Sequence, residues 1–340
     1  MKKILAFTLA FIMLFGLFGC GAKEDPNAEK SESKGTIACV IFQDDITMHL
    51  LQQGMIDAAT AAGYDVLATN VQGDQGKEVE FINTCISQGV DGICINPLSA
   101  ELSYPMLKTA AEAGIKVIIC DREIDGAEEW AVGAMIHEQY QLTRNAGLVA
   151  ADFIKNNLGG KAVFGVVDFQ TQVPVINQQR LDGFFEALEE NGVEYEIVAD
   201  QEGVLADAAQ IAATDIITSN SNVNCLFGAS EQSTIGCSLA VENAGLQGKV
   251  FVFGTDISAQ TIDLLKDSKN ILQVTTGQNG YNEGTKAVNV LIDAIEGRDV
   301  SEYKGVTTYL IGDTYVRGDE AAMQGYLDFV AEKVGSEVAN

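Results

Sequence analysis

From Thr36 onward the chain alternates between two textures. Short apolar runs rich in β-branched side chains alternate with longer amphipathic stretches that close on glycine or asparagine. The apolar runs predict strands at Thr36–Phe42, Tyr64–Thr69, Gly92–Ile95, Lys116–Cys120, Ala131–Met135, Ala162–Val167, Glu194–Val198, Cys225–Gly228, Val250–Gly254 and Ile271–Thr275. The amphipathic stretches predict helices at Thr47–Ala62, Gly76–Gln88, Leu102–Ala113, Glu138–Asn156, Pro174–Asn191, Asp207–Ser219, Gln232–Ala244, Ala259–Lys266 and Tyr281–Glu296. A strand that is apolar along its whole length is buried on both faces, which requires helices above and below a parallel sheet. Repeated β-then-α order gives right-handed crossovers and a doubly wound α/β architecture. The texture of residues 36–134 recurs after about 160, so two similar Rossmann-like lobes are expected.

The N-terminus sets the compartment. Met1-Lys2-Lys3 is a short basic start, and Ile4 to Phe18 is an uncharged apolar run. That run is short for a membrane span and reads as a signal-peptide core. Leu17-Phe18-Gly19-Cys20 resembles a bacterial lipobox, which implies acylation at Cys20 and anchoring to the cell membrane by lipid. The following residues, to Lys34, are small and polar and cannot bury enough apolar surface to order themselves; they read as a flexible tether.

The formal net charge of -27 repels nucleic acid, which excludes a DNA- or RNA-binding role. Beyond Cys20 the cysteines are Cys39, Cys85, Cys94, Cys120, Cys225 and Cys237. None has CxxC spacing and histidine is nearly absent, so neither a metal nor any other cofactor is expected; the thiols are expected buried and free. The chain contains no G-x-S-x-G elbow, no P-loop and no nucleophile paired with a base, so an enzyme is not expected.

Three segments resemble one family. These are Gly89-Val90-Asp91-Gly92-Ile93-Cys94-Ile95-Asn96-Pro97, Ala113-Gly114-Ile115-Lys116-Val117-Ile118-Ile119-Cys120-Asp121-Arg122, and Val252-Phe253-Gly254-Thr255-Asp256. In this order and spacing they resemble the type I periplasmic binding proteins, ribose/galactose-binding branch, over about residues 36–316. The resemblance implies two lobes joined by a three-segment hinge, with crossovers near 135–138, 277–280 and 309–312. The expected division is a signal peptide over 1–19, a lipidated Cys20 and tether over 20–34, and one lobe from 35–136 plus 279–310. A second lobe takes 137–278 plus 311–316, and a helical extension takes 317–340.

Ligands of open parallel sheets sit beyond the carboxyl ends of the strands, and a carboxylate there accepts ligand hydroxyls while a guanidinium donates. Asp121, Arg122 and Asp256 follow strands directly. The resemblance adds Phe42, Asp44 and Asp45 at the first strand exit, where Thr47 and Met48 replace the family's aromatic pair. It adds Glu138 and Gln139 at the first helix of the second lobe and Gln178 two residues before Arg180. It also adds Ser230 and Glu231 after Cys225–Gly228, and Gln278 at the hinge. Arg122 is the one clear cation expected to oppose these acids. Candidates for stacking on a ligand ring are Phe42, Trp130, Tyr140 and Phe169, while His49 and His137 read as exposed residues at helix starts. The acid excess implies a donor-rich ligand: a monosaccharide, another polyol or an amino sugar. The implied partner is the permease of an ABC importer, served by a monomer whose cleft closes on ligand. The competing expectation is a sensor component that presents the closed form to a chemoreceptor or histidine kinase.

Overall fold

The computed structural model describes residues 33–335; the expected signal peptide, Cys20 and nearly all of the tether lie outside the described residues. The first lobe begins with β1 (Thr36–Ile41), α1 (Ile46–Ala61), β2 (Asp65–Asn70), α2 (Gln75–Gln88), β3 (Gly92–Ile95), α3 (Ala100–Glu112), β4 (Lys116–Cys120) and β5 (Gly133–His137). The chain then builds the second lobe with α4 (Gln139–Asn157), β6 (Lys161–Asp168), α5 (Pro174–Glu190), β7 (Glu194–Glu202), α6 (Ala206–Ser219), β8 (Cys225–Gly228), α7 (Glu231–Asn243), β9 (Phe251–Phe253), α8 (Ala259–Lys266) and β10 (Leu272–Gly277). It returns to the first lobe with α9 (Gly280–Ile295) and β11 (Thr307–Leu310), and crosses again to β12 (Asp313–Val316) and α10 (Glu320–Val334).

The first sheet has the order β11-β5-β4-β3-β1-β2 and the second β12-β10-β9-β8-β6-β7. Every pairing is parallel except β10 with β12, which is antiparallel: the second lobe closes on a reversed edge strand that the expected all-parallel sheet lacked. Strands β11 and β12 have no counterpart among the predicted strands, and both contain half-exposed residues that give no continuous apolar signal.

Strand β1 shows why the sheet is covered on both sides. Ile37, Cys39 and Ile41 pack with Met48, Leu51 and Met55 of α1 and with Val288 and Leu291 of α9. Ala38 and Val40 point the other way, into a core with Ile82, Leu107, Ile93 and Ile95. Each fully buried aliphatic side chain contributes ~2 kcal/mol. Helices α1 and α9 approach so closely that a Cβ on Gly54 would sit 2.2 Å from the Tyr281 carbonyl oxygen. The second lobe's core is aromatic on the α4 and α5 side, where Phe164, Phe184, Phe227 and Phe253 are fully buried and Phe184 stacks on Phe227 at 4.1 Å. All six cysteines beyond Cys20 are buried and free.

Helix α10 rests on both lobes. Met323 is buried in the second lobe's core, with Tyr326 edge-on to Tyr315 at 5.5 Å. Further along, Phe329 meets Tyr281 of α9 edge-on at 5.2 Å, and Lys333 reaches Asp57 of α1 at 3.2 Å.

Candidate functional site

The carboxyl ends of β1, β4, β8 and β9 open onto a cavity of about 540 Å³ lined from both lobes. Gln43, Asp45, Thr47, Met48 and Asp121 come from the first lobe; Glu231, Asp256, Ser258, Gln260 and the hinge residue Gln278 complete the wall. A second cavity of about 360 Å³ lies within the second lobe and shares Glu231 and Asp256 with the first. It is lined further by Phe169, Val173, Ile176, Arg180 and Ser230.

Each wall residue is placed by local chemistry. Asp45 caps α1, its carboxylate accepting from the Met48 amide at 2.9 Å. Ser230 caps α7 in the same way, accepting from the Ser233 amide at 3.2 Å. Such caps satisfy amides that a helix start leaves open, at ~1 kcal/mol each. Asp121 and Asp256 have positive φ, +55° and +66°, so each turns sharply out of its strand toward the cleft. Aspartate tolerates this left-handed backbone better than most residues because its short polar side chain bonds locally.

Arg180 organises the second lobe's side of the site. It is 5% exposed and grips Asp256 with two nitrogens, at 2.8 Å and 3.1 Å. It also donates to the Gln139 side chain at 2.9 Å and to the Ala229 carbonyl at 2.8 Å, and stands over the Phe169 ring at 5.5 Å. A forked, charge-assisted pair of this kind fixes the Asp256 carboxylate in one orientation. Glu231 has no such partner. Burial pushes its carboxyl above the ordinary value; a hydrogen bond with Ser258 opposes the rise and the charges of Asp256 and Asp45 add to it.

The structure separates the expected site residues. Asp45, Asp121, Glu231, Asp256 and Gln278 line the interlobe cavity, and Ser230 lines its neighbour. Gln139 lies behind the wall as an acceptor for Arg180. Arg122 is not among the lining residues: it stands over the Phe42 ring at 5.5 Å, and Phe42 itself packs against both cores of the first lobe. The cation that pairs with a cleft acid is Arg180, and its partner is Asp256. Asp44 points outward to His49 at 2.6 Å, and Glu138 stands at the first crossover, its amide bonded to the Leu310 carbonyl. Gln178 is exposed and bonded to Asp182 along its own helix, away from the cavities. Among the stacking candidates, Phe169 reaches a cavity wall, whereas Trp130 packs edge-on against Tyr104 and Tyr140 bonds to Glu186.

His137 corrects the expectation of an exposed helix-start histidine. Strand β5 runs two residues further than its apolar run suggested, so His137 ends a strand and is 1% exposed. The sequence reading also passed over Gln43, Ser258 and Gln260 on the wall, and Asn96 beneath it. Asn96 is fully buried and donates toward Met48 Sδ at 3.2 Å and Asp121 Oδ2 at 3.5 Å. Its place in the Ile95-Asn96-Pro97 strand exit was the available signal.

Asp121, His137 and Glu283 bring ligand-type atoms within 4.8 Å of one another. A metal does not suit them. The Asn279 amide donates to His137 Nε2 at 3.0 Å, which leaves the ring proton on Nδ1, facing Glu283. A metal on Nδ1 would require an imidazole with no proton at all.

Relatives share this architecture. The chain is 28% identical over 261 residues to the ABC transporter periplasmic-binding protein YphF of Escherichia coli, covering 76% of this chain and 79% of that one. It is 25% identical over 252 residues to the D-allose-binding periplasmic protein of the same organism, covering 72% and 79%. It is 23% identical to the ribose import binding protein RbsB of Bacillus subtilis, covering 89% and 96%. Among solved structures, a solute-binding protein from Actinobacillus succinogenes with bound D-allose superposes with a TM-score of 0.69 at 24% identity, covering 86% of this chain and all (100%) of that one. One from Bacillus halodurans with bound myo-inositol gives 0.67 at 20% identity, covering 87% and 98%. These relatives are substrate-binding proteins and not enzymes. A family model described as a periplasmic binding protein domain matches residues 37–299, and the chain belongs to that family, with the type I fold.

Proposed function

We propose that this protein is the extracytoplasmic substrate-binding component of an ABC importer, anchored by lipid on Cys20, and that it captures a monosaccharide or another polyol. One observation carries the reading. A polar cavity lies between two lobes, with carboxylates and carboxamides contributed by both, so that a ligand with many hydroxyl donors bonds to both walls together only when the lobes approach. The printed functions of the relatives support the same class: D-allose binding, ribose import, and a structure holding myo-inositol.

The wall sharpens the ligand. Asp45, Asp121, Glu231 and Asp256 are acceptors, and Arg180 is already committed to Asp256, so the ligand supplies donors and no negative charge. Hydrogen bonds to charged groups contribute ~1.5–3 kcal/mol each. A thermal-shift and calorimetric panel of aldoses, inositols and amino sugars tests this. Binding to at least one neutral or amino sugar is expected; binding confined to sugar acids or sugar phosphates overturns it.

A further inference from the structure

A polar chain begins at the cleft and passes through all three segments that join the lobes. The Asp121 amide is shared between the Met135 carbonyl at 2.7 Å and Glu283 Oε1 at 2.9 Å. The other oxygen of Glu283 lies 3.0 Å from His137 Nδ1, at the first crossover. His137 Nε2 accepts from the amide of Asn279, at the second crossover. The Asn279 side chain reaches Asp313 Oδ2 at 3.1 Å, just past the third.

Two members of this chain are costly to keep where they are. Glu283 is 2% exposed and His137 1%. A buried carboxylate beside a buried imidazole is expensive unless each atom is answered. Here the Nδ1 approach to Glu283 is short but poorly aligned, so that Nδ1 has no in-line acceptor. Neither residue lines the cavity. What the polar pair adds is direction: Glu283 aims a lone pair at the backbone of a left-handed, ligand-facing aspartate, and His137 aims one at the hinge.

We propose that Glu283 and His137 are positioning residues for ligand capture, holding the backbone of Asp121 and tying its placement to the hinge. The inference rests on the cleft being the ligand site. The chain transmits because its donors and acceptors have a single consistent order. A proton placed on the Glu283 oxygen that faces His137 would meet Nδ1–H. The ring would then have to shift its own proton to Nε2, where the Asn279 amide already points. Protonation of Glu283 thus breaks the link at the hinge. Burial first, and the charge of Asp121 second among the raising causes, push Glu283 up to about 7, against the neighbouring imidazole of His137. The titratable groups facing the pair are Asp121 and Cys120 at the end of β4 and Asp313 at the start of β12.

The test uses the full chain and the variants Glu283→Gln, His137→Asn and His137→Gln, each checked for native near-ultraviolet circular dichroism. D-Allose, D-ribose and myo-inositol are the calorimetric probes. Glu283→Gln is expected to weaken whichever probe the wild type binds by roughly tenfold or more. Wild-type affinity is expected to fall between about pH 8 and pH 6, as Glu283 gains its proton, and the variant's affinity to fall less over the same range, since Glu231 on the wall is unchanged. In ¹H–¹⁵N spectra without ligand, Glu283→Gln is expected to shift the amides of both Asp121 and Asn279. His137→Gln, which can still accept from Asn279, is expected to spare the Asn279 amide more than His137→Asn does. Unchanged affinity and pH profile in a folded Glu283→Gln, or an unmoved Asn279 amide, overturns the proposal. If the wild type binds none of the three probes, whichever sugar of the wider panel it binds replaces them; if it binds none of that panel, the reading of the cleft fails separately, and the Asn279 amide still decides whether the chain is coupled.

Discussion

Asp121 and Asp256 are counterparts across the cleft: each follows the end of a strand in its own lobe, each has a left-handed backbone, and both face one cavity. They differ in what holds them. Asp256 is gripped by the Arg180 fork, whereas the Asp121 carboxylate has the Asn96 amide at 3.5 Å.

That difference separates binding from stability. Asp121→Gly removes a ligand acceptor but relieves backbone strain, so its melting temperature is expected to hold or rise slightly while calorimetric affinity drops. Asp256→Gly relieves similar strain yet leaves Arg180 buried without its partner. It is expected to lose ~3–5 kcal/mol in a denaturant titration. Equal losses in the two variants would contradict this assignment.

The acids of the cleft set a pH dependence with a definite sign. Burial raises the carboxyls of both Glu231 and Glu283. A raised folded value means more protons bound in the folded state than in the unfolded one. Stability from these groups therefore grows as pH falls through the folded values and levels off below the unfolded value of ~4.3. Asp267 and Asp299, held below the ordinary value by backbone amides, act oppositely and lose their contribution at lower pH still. The melting temperature is expected to climb as pH falls from about 8 toward about 4.3 and to fall only below about pH 3.9. A monotonic decline from pH 8 downward would refute the sign.

Glu78 is a fully buried carboxylate with a structural task. One oxygen accepts from the Leu98 amide at 2.8 Å, and the other from Ser103 and from Gln75 at 2.9 Å. It pins the loop that follows Asn96-Pro97. Glu78→Ala is expected to cost ~3 kcal/mol in chemical denaturation, because several buried donors lose their acceptor together.

The six buried thiols should behave as core residues. Burial pushes Cys85 up to about 11, and Cys39, Cys225 and Cys237 well above the ordinary value. No thiol of the described residues is expected to react with a thiol reagent such as Ellman's at neutral pH in the native state, and all six to react in guanidinium.

Much of the fold was legible because the central strands are apolar throughout, as in the five buried residues Ile37–Ile41. Edge strands β11 and β12 were not, since pairing rather than composition defines them. The site was legible where a polar residue closes an apolar run, as at Asp121 and Asp256. It was misread on helix α5, where Asn177, Arg180 and Phe184 share the buried face and Gln178 does not. The spacing of 177, 180, 184 and 188 carried that signal. Nearness in sequence to Asp121 does not fix where a long side chain lies: Arg122 stands over the Phe42 ring.

Helix α10 gives the two lobes unequal freedom. Its first turns are fixed in one core by Met323, and Met323→Ala is expected to cost ~2–5 kcal/mol. Its last turns touch the other lobe through the Phe329–Tyr281 and Lys333–Asp57 contacts. A partly buried ion pair of this kind at the surface contributes ~1 kcal/mol, so the distal contact is weaker than the Met323 anchor. Lobe movement that slides Phe329 across Tyr281 meets a small, repeatable resistance on this side of the molecule. If the lobes close as proposed, the side of the seam that α10 spans carries contacts that the closing motion has to slide past.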